Sequence, residues 1–165
     1  GMFCDKEEKD TPLNNYARVP NPQYLSGLCG REAPSESEDE ILSREYLETQ
    51  NKLKCLLDNG LVHLDKRVHV ANCALHSNAL LLGRYGEALE HCSKMCEFYK
   101  ATLAHVPCHP LLTLQEFTRG DLLREEGRAE EAKGVFREVI GWMEVTHEGT
   151  KLIEQARETL KELEQ

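Results

Sequence analysis

Cys92 and Cys96 stand four residues apart, with His91 just before them and His105, Cys108 and His109 a short way on. On a helix an i, i+4 pair brings two thiolates together, and zinc asks for four N or S donors about 2.0–2.3 Å from the metal. The spacing lacks a paired CxxC, and both cysteines share a stripe with Ala88 and Tyr99, where cysteine packs as a small hydrophobe. The pair therefore reads as core: no metal and no cofactor are expected, and a small zinc protein is a rival reading. The same thiols and imidazoles invite nucleophilic catalysis, which needs a thiolate held by an oriented base. Nothing in the spacing supplies that pairing, so no catalytic residue is assigned.

A second kind of chemistry is carried by the run SESEDE, where Ser35 and Ser37 each precede a glutamate by three residues. Acidic-directed kinases accept that pattern, and each phosphate would add about −1.5 to −2 charges. An unmodified, solvated linker is the simpler reading of the same residues, and it is the favoured one.

The whole chain narrows the partners. Its 165 residues suit one domain with a sizeable core. Lys plus Arg number 20 against 29 Asp plus Glu, a formal charge of −9. That balance argues against nucleic acid, whose binding rests on clustered cations. No apolar run reaches the roughly 18 residues that span a bilayer, and residues 1–10 hold no apolar signal core, so no membrane is expected. Seven scattered cysteines without a disulfide-like spacing read as reduced thiols in the cytoplasm or nucleus.

Residues 1–38 carry four of the six prolines and no sustained period, and read as a flexible acidic segment. Residues 39–165 read as one helical domain. Apolar residues at spacings of three and four predict helices near 67–82, 110–126 and from 149 onward, with others between them. Two stretches, LLLGRYGEAL and REEGRAEEAK, share a Gly-Arg turn followed by Glu and Ala. Gly83 and Gly127 lie 44 residues apart, as do Ala88 and Ala132. Glycine permits a tight turn and alanine a close helix crossing, which is the tetratricopeptide hairpin, here longer than its usual period of about 34 residues. The expected fold is all-α: antiparallel helical hairpins in a tetratricopeptide-like array of about six helices.

The stretches NCALHSNALLLGRYGEAL, MCEFYKATLAHVPCHP and WMEVTHEGTKLIEQARETLKELE resemble, in order and spacing, the C-terminal helical domain of the SET-and-MYND-domain (SMYD) protein lysine methyltransferases. The likeness runs from about Val70 to Glu164, and its most specific pieces are His109-Pro110 and MEVTH at Met143 to His147. The family's SET domain, Asn-His cofactor signature and MYND zinc finger are absent, and the region between Asp39 and Arg67 is shorter by about one helix. The resemblance implies a tetratricopeptide-like wall that binds protein segments, and it does not carry methyltransferase activity across.

Tetratricopeptide proteins that grip a C-terminal carboxylate place Asn on the first helix of a hairpin; in this register that position holds Ser77 and Asp121, and Asp121 repels a carboxylate. First helices line the concave side of such arrays, so His76, Ser77, Thr118 and Asp121 are the expected groove positions. The expected function is a non-catalytic module that binds a protein or peptide partner in that groove. The alternative is the C-terminal regulatory part of a SET/MYND methyltransferase.

Overall fold

In the computed structural model, which describes residues 36–103, 109–146 and 150–165, glycine sets where helices stop. Gly83 and Gly127 adopt φ of 72° and 76°, the left-handed region that other residues enter only with strain. Around Gly83, Leu82 N–H donates to Asn78 O, Gly83 N–H to Leu80 O and Arg84 N–H to Ala79 O. Around Gly127, Glu126 N–H donates to Leu122 O, Gly127 N–H to Arg124 O and Arg128 N–H to Leu123 O. Every donor and acceptor in the second set lies 44 residues after its counterpart. The two Gly-Arg turns are therefore one hydrogen-bonded cap built twice.

The described residues form six helices: α1 Glu36–Asp58, α2 Lys66–Leu81, α3 Tyr85–Thr102, α4 Pro110–Glu125, α5 Ala129–Thr146 and α6 Thr150–Leu163. No strand occurs among these residues. Asp65 opens α2 by accepting the Arg67 N–H at 2.8 Å, and His109 Nδ1 opens α4 by accepting the Leu111 N–H at 3.1 Å. Pro110 then takes the first helical position, where its missing N–H costs nothing. The all-α array of hairpins expected from the sequence is the observed fold.

One boundary differs. Helix α1 begins at Glu36, inside the segment read as a 1–38 tail, and Glu38, Asp39 and Glu40 bring negative charge to the N-terminal end of the helix, where the helix dipole favours it. Ser37 belongs to that first turn. Ser35 and the residues before it lie outside the described residues.

Each helix packs on its neighbours in sequence, and the core runs through the array. Tyr46, Leu75, Phe117, Phe136 and Leu152 are each at most 2% exposed, and burying a side chain of this size contributes about 1.5–3 kcal/mol. Ala88 and Ala132, the small residues of the repeat, are fully buried, which permits the close crossings their spacing predicted.

The caps make a signed prediction. Gly83→Ala or Gly127→Ala lowers stability by about 1–2 kcal/mol, because alanine pays for the left-handed backbone. Gly134 on α5 has open space where a Cβ would sit, so Gly134→Ala instead raises stability by up to about 1 kcal/mol through helix propensity. Urea unfolding of the three variants reads both signs.

Candidate functional site

Helix α1 packs on α2 and reaches α3 through a polar chain at Tyr46. Tyr46 Oη lies 3.3 Å from His91 Nε2, and His91 Nδ1 lies 2.9 Å from Asn72 Oδ1. Burial lowers the His91 imidazole from its ordinary range, against the pull of Glu90 and Glu87. Asn72 Oδ1 can only accept, so the neutral ring carries its proton on Nδ1 and its Nε2 is an acceptor; the Tyr46 hydroxyl lies between that nitrogen and the Glu87 carboxylate. Burial, then the Glu87 carboxylate beside it, pushes the Tyr46 phenol well up, which keeps its proton in place. The Arg84 guanidinium covers the Tyr46 ring at 5.3 Å from its centre.

This chain floors a surface groove made of two adjoining cavities. One, of about 390 Å³, is lined by Asn72, Leu89, His91 and Ser93, with His63 and Arg128 at its edges. The other, of about 310 Å³, is lined by Tyr46, Leu57, Asp58, Glu87 and His91. Leu53, Glu90 and His91 belong to both, so the two adjoin. Volumes of this order suit a ligand or a short stretch of chain.

Asn72 has a counterpart 44 residues on, Glu116, and both are buried polar groups. Burial alone would raise the Glu116 carboxyl; the Arg119 guanidinium, donating from Nη2 at 2.8 Å, and Lys100 Nζ at 3.4 Å overcome it and hold the carboxyl below its usual range. In the second hairpin the buried polar position is thus sealed by an ion pair, while in the first it opens on the groove.

The expected groove positions fall elsewhere. His76 and Asp121 are interior residues, 6% and 0% exposed, so they offer no surface to a partner. His76 Nδ1 lies 3.2 Å from Ala88 O, and Gln115 Nε2 donates to His76 Nε2 at 3.3 Å. Asp121 lies 3.6 Å from Arg124 on its own helix. Ser77 and Thr118 are half-buried, and Thr118 Oγ1 donates to Leu114 O one turn back. Neither lines the groove described above, which is formed by α1 and α3 with Asn72 reaching it from α2. The register carried one available signal: the stripe of α2 passes through Val68, Asn72, Leu75 and His76, so a polar residue on it must be buried.

The thiols divide by burial. Cys92 and Cys96 lie in the core, as their stripe predicted, and Cys92 and burial together push the Cys96 thiol far up. Cys73 Sγ sits 3.4 Å from His69 Nε2, with the His69 ring stacked on Phe98 at 3.8 Å. Burial pushes the Cys73 thiol up to about 11 and lowers the imidazole, so the pair stays neutral and supplies no thiolate. Among the described residues no three His, Cys, Asp or Glu side chains converge on a metal position; His105 and Cys108 lie outside them. Peptide mapping after brief treatment of the native protein with iodoacetamide is expected to find Cys55, which is exposed, modified, and Cys92 and Cys96 modified only in denaturant.

Against this geometry, comparison with known proteins gives no relative: neither a protein family nor a curated protein matches the chain.

Proposed function

We propose that this chain is a protein-interaction module of tetratricopeptide type, acting through shape rather than catalysis, and that the groove between α1 and α3 takes a segment of a partner protein. The observation that carries the reading is the pair of adjoining cavities over the Tyr46–His91–Asn72 chain. Packed hairpins hold such a groove rigid before the partner arrives, which spares the ordering cost of forming it. The resemblance to the C-terminal domain of the SMYD methyltransferases supports the same role.

The test uses a displayed library of random twelve-residue peptides. The folded protein is expected to select binders whose affinity is lost when Ser93, in the groove, is replaced by Trp, and kept when Glu138, exposed on α5, is replaced by Trp. Selection that ignores Ser93→Trp sinks the reading.

A further inference from the structure

The groove has a chemical polarity along its length. At the α1 end, Asp58, Glu87 and Glu90 face a single cation, Lys54. Glu87 meets Arg84 only at 4.0 Å, and neither Asp58 nor Glu90 has an ion-pair partner among the described residues. The bases at the other end are already engaged: Lys94 Nζ lies 3.6 Å from Glu97, and Arg128 Nη2 lies 2.7 Å from Glu131. The groove therefore carries uncompensated negative charge at one end.

Between the two ends sits Asn72, 2% exposed and lining the cavity. Its Oδ1 is taken by His91 Nδ1, and its amide N–H₂ has no acceptor among the described residues. That N–H₂ opens on the cavity rather than being sealed from solvent, whereas Glu116, in the equivalent place, is closed off by an ion pair. A carbonyl oxygen of an extended peptide is the acceptor that the Asn72 amide fits.

Resting on the proposed function, we infer that the ligand is an extended peptide segment carrying Lys or Arg. Its backbone carbonyl accepts from Asn72 Nδ2, and its cationic side chain enters the end bounded by Asp58, Glu87 and Glu90. The Leu53 and Leu57 side chains along α1 receive the apolar stem of that side chain, which Lys and Arg bury while keeping the charged head among carboxylates. No covalent step is involved; the site recognises and releases.

The peptides selected from the random dodecapeptide library supply the test. Their sequences are expected to be enriched in Lys and Arg, with affinity about tenfold weaker for the Glu87→Gln/Glu90→Gln protein at low salt, and the difference narrowing in 0.5 M salt as the exposed charges are screened. Both positions line the groove, Glu87 beside the Tyr46 hydroxyl, and circular dichroism with urea unfolding confirms that the variant is folded. Binders without basic enrichment that remain sensitive to Ser93→Trp overturn the ligand class and leave the groove reading intact. Binders indifferent to Ser93→Trp overturn both. Binders rich in bases but indifferent to Glu87→Gln/Glu90→Gln overturn the assignment of the acidic end.

Discussion

Phe136→Ala lowers the unfolding free energy by about 3–5 kcal/mol, the cost of emptying a large buried ring site in a core that cannot close over it. Phe136 is fully buried and meets Phe117 edge to face, with ring centres 5.7 Å apart and planes at 77°. Gly120, three residues on from Phe117 along α4, faces the same ring: a Cβ there would stand 3.0 Å from two ring carbons. The ring is enclosed in the core, with no exposed side into which it can shift. Gly120→Ala therefore costs about 1–3 kcal/mol by overpacking, even though alanine is the better helix former by about 1 kcal/mol. The first hairpin solves the same crossing with the sizes exchanged: His76 stands where Gly120 does and Cys92 where Phe136 does, each 44 residues earlier. The pair is the unit, a large residue against a small one. Gly120→Ala combined with Phe136→Leu is accordingly expected to cost at least 0.5 kcal/mol less than the two singles added, beyond the roughly 0.3–0.5 kcal/mol scatter of independent sites. Additive costs in urea unfolding would show that the two positions do not share one packing volume.

That exchange explains what could be read from the residues and what could not. Helix ends were legible because the residues that make them act locally: Gly83 and Gly127 tolerate a positive φ, and Pro110 can open a helix but not continue one. The core cysteines were legible from their stripe. His76 and Asp121 were misplaced at the surface because their side chains are polar, although the 44-residue register sets His76 against the buried Gly120. Pairing His76 with the shortened Cys92 needs knowledge of both hairpins at once. The groove was less legible still. Asn72 and His91 are 19 residues apart, and Tyr46 and His91 are 45 apart. No local period reports on a contact across three helices, and Tyr46 reads from its spacing only as another core residue. The charge of the groove end depends on which carboxylates lack partners, and ion pairs such as Lys94–Glu97 and Arg128–Glu131 decide that in space.

Acid is expected to unfold the protein through His76. The ring is in the interior, and burial lowers it from 6.5 to about 4, the Ala88 carbonyl pulling the other way and His91 adding to the fall. Its hydrogen bonds agree with the neutral form: Nδ1 donates to Ala88 O and Nε2 accepts from Gln115, so a second proton would have to displace the Gln115 donor. Because the folded chain holds the imidazole below its unfolded value, the unfolded chain binds more protons between those two pH values. The stability is complete above pH 6.5 and drains away as the pH falls to about 4, a loss of about 3 kcal/mol from this residue alone. His69 and His91 are lowered by burial too and act with the same sign. Glu116, held below the ordinary carboxylate range by Arg119 and Lys100, adds its loss only at lower pH. His76→Gln keeps a polar group in the site and removes the proton equilibrium. Its stability relative to the wild type should therefore improve by about 3 kcal/mol between pH 7 and pH 4, whatever the constant cost of the substitution. Urea unfolding at intervals across that range measures the difference, and a titration of the His76 ring by NMR in the folded protein supplies the independent check. A midpoint near 6.5 in the folded state would mean that the ring is solvated and that the α2–α3 crossing is not closed over it as described.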